Sequence, residues 1–289
     1  MLAACHGAAA PRVVVAGGEG SALPRSSPAA EYFDVAELDA VRSLAKREAL
    51  SALLVTRHNH LVLEYYANGW KASDAPDAGA LVQVLAAMSA GIATSRGLIG
   101  PPDLRPFDAA AIASGVAQAA KMPYEQYLSL HIWQPLRAAP AYFLLAHAGD
   151  APRADCCFAA RLADWMRVGG ALNADGRYEG TQIMPAGWVA RMRLPRIGER
   201  DHGFGVLLAD AARGKEPLLA HDAFFVRGEG AWRLWLVPSL DLVVLSAGAA
   251  HATDPEDETA LPNLIMHSIT GPGTTLRGAP QLKDLVPGH

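Results

Sequence analysis

Cysteine is scarce: three in 289 residues, too few for a disulfide framework. The adjacent pair Cys156-Cys157 has no His or Cys companion at metal-ligand spacing, so both read as structural residues and no metal or cofactor is called for. Excess positive charge is also missing. The 25 Lys and Arg are scattered among 29 Asp and Glu, for a net charge of -4, which excludes the basic stripe that nucleic acid requires. No apolar run reaches the roughly 18 to 20 residues of a transmembrane span before Arg, His, Glu or Asp interrupts it. No internal repeat is visible.

What is present suits a folded body. Apolar residues make up 51% of the chain, ample for a packed core. The stretch from His6 to Ala30 is rich in Ala, Gly, Pro and Ser and reads as a flexible tether. Ahead of it, Leu2-Ala3-Ala4-Cys5 has the order of a bacterial lipobox, with Cys5 as the lipidation candidate. Only Met1 precedes it, so either the start is truncated or the four residues match by chance. These features predict a flexible segment over 1–31, export to the periplasmic or membrane-tethered side of the cell envelope, and one domain over 32–289.

Within that domain Asp34 is placed to cap a helix, with Glu37 closing a capping box and Leu38, Val41, Leu44 and Ala45 on the apolar face. Ala52–Thr56 and Leu61–Tyr66 read as a β-hairpin around Arg57-His-Asn-His60. Helices are predicted from about Ala80 to Ser95, from Asp108 to about Lys121, and through much of Tyr124–Leu172, making a helical region of about 80–195. Strands return at Phe204–Leu208, Ala223–Val226, Ala231–Val237 and Leu242–Leu245, before a final helix over roughly Glu256–Ile269. Trp232 and Trp235, three apart, should face opposite sides of their strand. Strands at both ends with helices between them predict an α+β fold: an antiparallel sheet closed by N- and C-terminal strands, with flanking helices and a reduced helical insertion.

Several segments carry a resemblance. They are Leu53-Leu-Val-Thr-Arg-His-Asn-His-Leu-Val-Leu-Glu64, Gly91-Ile-Ala-Thr-Ser-Arg-Gly-Leu-Ile99, Tyr127-Leu-Ser-Leu-His-Ile-Trp-Gln-Pro-Leu136, Asp164-Trp-Met-Arg-Val-Gly169, Gly176–Trp188 and Val237-Pro-Ser-Leu-Asp-Leu-Val-Val244. In this order they resemble the serine β-lactamase-related and penicillin-binding-protein-like hydrolases, especially the esterase and 6-aminohexanoate-dimer hydrolase branch. The resemblance implies a β-lactamase/transpeptidase-like fold and three motifs around one cleft. Ser-x-x-Lys supplies the nucleophile and its base, Tyr-x-Asn or Tyr-x-Ser shuttles protons, and a third motif lies on an edge strand.

Counting back from Gly91-Ile-Ala and Gly97-Leu-Ile places the Ser and Lys positions on Ala80 and Gln83. A methyl group cannot attack and an amide cannot serve as a base. Only Gly100–Pro106 separates this helix from the next, so the Tyr and Asn positions fall near Leu104 and Pro106, and the second motif is absent too. Arg227-Gly228-Glu229-Gly230 resembles the remnant of an Arg-Gly-x-Gly-Gly turn, and these four residues are the ligand-cleft candidates.

Two literal motifs compete. Ser43-Leu-Ala-Lys46 shares a polar helix face with Asp39 and Arg47, and Tyr66-Ala-Asn68 ends a predicted strand, so both stand in the wrong place for the family order. Ser89 lies too far along its helix. His58 and His60 have no carboxylate partner nearby in sequence and read as a polar turn, while His202, His221 and His251 lie near cleft-flanking strands. The expectation is a catalytically inactive homologue that binds a protein or envelope ligand. The alternative is an active serine hydrolase with a relocated site, Ser43 and Lys46 being the literal pair.

Overall fold

A computed structural model of the chain describes residues 10–101, 107–196, 198–248 and 257–270. In chain order the first elements are β1 (Arg12–Val15), α1 (Val35–Arg47), β2 (Ala52–Arg57), β3 (His60–Tyr66) and α2 (Gln83–Ser95). Next come α3 (Ala109–Ala120), α4 (Tyr124–Leu128), β4 (Ala141–Leu144), β5 (Phe158–Ala159) and α5 (Leu162–Asn173). The small hairpin β6 (Arg177–Tyr178) and β7 (Thr181–Gln182) leads to α6 (Trp188–Met192). Last are β8 (Leu207–Leu208), β9 (Phe224–Arg227), β10 (Arg233–Val237), β11 (Leu242–Ala247) and α7 (Ala260–His267).

The principal sheet has the order β3-β2-β11-β10-β9-β8 and is antiparallel throughout. The β2–β11 ladder, from Leu242 opposite Arg57 to Ala247 opposite Ala52, is where the two halves of the chain meet. Both faces are covered, so β2 and β11 are buried at every position and read as continuous apolar runs. Alternate residues still choose sides. Leu53, Val55, Leu242 and Val244 join the core under α1 and α7, whereas Ala52, Leu54, Val243 and Leu245 join the larger core under α2 and α5. Each buried Leu or Val gains about 1.5–3 kcal/mol by leaving water. Trp232 packs in the larger core and Trp235 in the other, as their spacing predicts.

Local signals explain the well-predicted elements. Asp34 accepts hydrogen bonds from the backbone N–H groups of Ala36 and Glu37 and starts α1. The reciprocal half of the capping box does not form, because the Asp34 N–H donates to Ser268 O instead, at 2.8 Å. His58 and Asn59, with φ of 48° and 62°, make the two-residue turn that matches the twist of β2 and β3.

Other expectations need correction. The stretch 12–31 is folded rather than a tether: Val13-Val14-Val15 is a β-branched run, and β1 pairs antiparallel with β4, which also pairs with β5. Glycine lets this segment press close, since a Cβ on Gly17 would lie 2.3 Å from Ala138 O. The helical region is accordingly interrupted by β4 and β5, and near Phe204 only Leu207–Leu208 forms a strand. The last helix begins at Ala260; its expected start at Glu256, and Cys5, lie outside the described residues.

Candidate functional site

A cleft of about 320 Å³ opens beside the head of α2. One wall is Ala80 and Gln83, the other is β8–β9 with the turn before it, and Phe107 and His202 lie at its margin. The wall is built locally. Gly79, at φ 54°, starts a short 3₁₀ turn over Gly79–Val82 that carries Ala80 and delivers the chain into α2 at Gln83. Ala80 and Gln83 are thus one turn apart and both half-exposed to the cleft. The Gln83 amide donates from Nε2 to Asp155 O at 3.5 Å.

The site's chemistry is set by what lines it. Among the described lining residues there is no Ser, Thr, Cys, Lys, Tyr, Asp or Glu. The polar groups are the Gln83 amide, the His202 imidazole and the guanidinium groups of Arg196 and Arg227. These can donate hydrogen bonds to an anion or a carbonyl, but none is a nucleophile of the serine-hydrolase kind.

Besides the Gln83 amide, the other three of these groups also have partners. Arg227, the last residue of β9, grips Glu258 with Nε to Oε1 at 2.9 Å and Nη2 to Oε2 at 2.6 Å, and Nη2 also donates to Ala211 O at 3.1 Å. Arg233 binds the same carboxylate from Nε at 2.7 Å. Burial pushes the Glu258 carboxyl up, but hydrogen bonds from Arg227 and the Arg213 N–H, with the charges of Arg233 and Arg227, outweigh it and hold the group below its usual range. His202 Nδ1 lies 2.8 Å from Asp201 Oδ1, a bond that draws the Asp201 carboxyl downward. Arg196 pairs with Glu199.

Of the four ligand-cleft candidates, only Arg227 lines the cleft. Gly228, Glu229 and Gly230 form a turn behind it, and Arg233 Nη1 gathers the carbonyls of Gly228, Gly230 and Trp232 at 2.8–3.2 Å. Gly228 is required there by packing, since a Cβ would meet Trp232 Cβ at 2.7 Å. Glu229 is exposed, with its carboxylate beside Gly79.

The decoys lie elsewhere. Ser43 and Lys46 are exposed on α1, which packs on the other face of the sheet, and Ser43 Oγ donates to Asp39 O of its own helix at 2.9 Å. Tyr66 donates to Glu64 Oε1 at 2.9 Å. Ser89 is buried mid-helix, donating to Leu85 O at 2.7 Å and lying 3.3 Å from the Tyr124 hydroxyl. His221 is exposed and not part of the cleft, while His251, Leu104 and Pro106 lie outside the described residues.

Sequence reasoning missed two pairings. His58 Nδ1 lies 2.7 Å from Glu31 Oε2 and His60 Nδ1 3.4 Å from its Oε1, a carboxylate supplied by the stretch expected to be a tether. Cys156 and Cys157 are bonded to each other. Among the described residues no group of three or more His, Cys, Asp or Glu stands in a metal-holding arrangement, and no helix is long and apolar enough to cross a membrane.

No protein-family sequence model matches the chain, and no curated protein matches it in sequence. Solved structures do. A Bacillus anthracis protein described as a 6-aminohexanoate-dimer hydrolase superposes with a TM-score of 0.70 at 13% identity, over 86% of this chain and 87% of that one. A β-lactamase from Mycobacterium bovis gives 0.63 at 13% identity, over 80% and 100%. A family VIII carboxylesterase gives 0.62 at 12% identity, over 82% and 97%. The antiparallel sheet joined by its N- and C-terminal strands, the helices on both faces and these superpositions agree: the chain has the β-lactamase/penicillin-binding-protein-like fold.

Proposed function

We propose that this chain is a catalytically silent relative of the serine β-lactamase-like hydrolases, keeping their cleft as a binding site. The observation that carries the reading is the chemistry at the head of α2, where a methyl group at Ala80 and an amide at Gln83 face a cleft whose described walls hold no hydroxyl, thiol or amine. Loss of a catalytic nucleophile lowers turnover by about a million-fold, leaving only what binding supplies. What remains, an amide, an imidazole and two acid-paired guanidiniums, suits hydrogen bonding to a ligand rather than acyl transfer.

We place the protein at the cell envelope, as a binding or interaction protein tethered through Cys5. Two features support this: the lipobox order of Leu2-Ala3-Ala4-Cys5, and the Cys156–Cys157 bond, since disulfides persist in oxidising compartments.

The test pairs a fluorophosphonate serine probe with a chromogenic cephalosporin and a p-nitrophenyl ester. Neither labelling nor turnover above buffer is expected. Labelling of the wild-type chain that Ser43→Ala abolishes, or any steady turnover, would overturn the reading.

A further inference from the structure

We propose that Cys156–Cys157 is a redox site: a disulfide between neighbouring residues that a dithiol opens to two thiols, releasing the Asp155–Cys157 turn from the inner wall of the cleft. The two residues are bonded across a single peptide unit, with Cα atoms 3.7 Å apart. Such a crosslink closes no long loop, so it barely restricts the unfolded chain and adds almost nothing to global stability by that route. Its effect is local.

That locality matters because of what the turn touches. Asp155 O accepts the Gln83 amide at 3.5 Å, and Cys157 O accepts the Leu144 N–H of β4 at 2.8 Å. Immediately afterwards Phe158 O accepts the Ala78 N–H at 3.0 Å, one residue before the turn that carries Ala80. The crosslink therefore sits at the start of a short segment that holds β4 on one side and the Ala80–Gln83 wall on the other. Cys157 has φ 67°, a left-handed backbone that an L-residue with a side chain rarely adopts, and the ring through the two sulfurs holds it there. Opening the ring removes that restraint. Phe158 stays, because it is buried against Trp133, Phe143 and Trp165. Movement should be confined to Asp155–Cys157 and the groups bonded to it.

The chemistry is thiol–disulfide exchange, and neither cysteine is buried beyond reach. A thiolate of the dithiol attacks one of the two sulfurs, the protein S–S bond breaks, and the other cysteine leaves as a thiolate that takes up a proton. The reductant's second thiol then attacks its own sulfur in the mixed disulfide, freeing the second protein thiol. Two electrons and two protons pass to the protein, and the dithiol becomes a disulfide. The coupling to the cleft rests on the binding reading above only for what the cleft then does; the redox step itself does not depend on it.

The experiment is alkylation and mass analysis of the full chain under native conditions, followed by amide hydrogen exchange. Purified without reductant, Cys156 and Cys157 should resist iodoacetamide, become doubly labelled after dithiothreitol, and resist again once the reductant is removed and the dithiol is oxidised with diamide. On reduction the Leu144 amide should exchange on the order of tenfold faster while β2 and β11 amides stay unchanged, as expected for local opening. The double variant Cys156→Ser/Cys157→Ser should match the reduced form; if it fails to fold, the reduced wild type supplies the comparison. Cysteines that label without reductant and cannot be closed overturn the site. A Leu144 rate that does not change on reduction overturns the coupling. Neither result touches the serine-probe test of silence.

Discussion

Arg227 and Glu258 meet in a two-pronged ion pair, 2.9 Å and 2.6 Å between their facing nitrogens and oxygens, at the end of β9 where the cleft wall turns back. The pair joins the end of β9 to the residue two before the start of α7, so a group that sequence likeness marks for ligand contact is also a structural tie.

Replacing Glu258 by Gln would leave Arg227 and Arg233 facing an amide. The expected loss is about 2–3 kcal/mol, less than the 3–5 of a fully buried pair because Arg227 remains 28% exposed. Urea unfolding at neutral pH measures it. The sign with pH also follows. A carboxyl held below its usual value of about 4.5 when folded contributes stability above that value, and loses it as pH falls through the folded value. The acid limb of the wild-type stability curve should therefore flatten in Glu258→Gln.

Gly91 and Gly115 both lie inside helices, α2 and α3, and should respond oppositely to alanine. Alanine gains about 0.8–1 kcal/mol over glycine in a helix interior. At Gly115, with nothing within 4 Å of the added methyl, that gain should appear whole as a higher midpoint of denaturation. At Gly91 the methyl would sit 2.5 Å from the Trp188 indole, whose Nε1 donates to Ala87 O at 3.0 Å. Overpacking costs about 1–3 kcal/mol and should win, with a shift in tryptophan fluorescence.

The double variant Ala80→Ser with Gln83→Lys puts a hydroxyl and an amine on the same turn of one cleft wall. No other described lining residue offers a phenol or carboxylate to relay the proton. Hydrolysis of the chromogenic cephalosporin and the p-nitrophenyl ester should stay at the level of buffer. Measurable turnover would mean that the cleft is more complete than its lining shows.

Ser43→Ala and Lys46→Ala, by contrast, should leave folding within ~0.5 kcal/mol of wild type and change no probe labelling, because both side chains lie on the solvent face of α1.

Legibility followed the range of the interactions. The cap at Asp34, the hairpin turn at His58-Asn59 and the opposed Trp232 and Trp235 are decided within a few residues, and periodicity exposes them. Ala141-Tyr-Phe-Leu144 was not legible as a strand, since a short apolar run fits a helix face equally well. Its identity as β4 depends on β1, a segment whose Gly- and Ala-rich surroundings look like a linker until Val13–Val15 finds that partner. The candidate cleft divided in the same way. Ala80 and Gln83 could be located by counting along one helix, and Arg227 by likeness to a turn, but the role of Gly228–Gly230 as a knot gathered by Arg233 depends on side chains meeting in space.

Side-chain identity alone settles that positions 80 and 83 hold a methyl and an amide, and no folding can turn these into a nucleophile and a base. Hydrophobic order along the chain likewise implies a sheet joined by its two ends, because alternation and helical spacing are local consequences of backbone geometry. Folding decided the rest: that Glu258 neutralises Arg227, that Glu31 faces two histidines, and that the turn carrying Cys156 and Cys157 touches Gln83. Those contacts arise between residues distant in sequence, where the cost of burying charge and the closeness of packing select partners that no local pattern encodes.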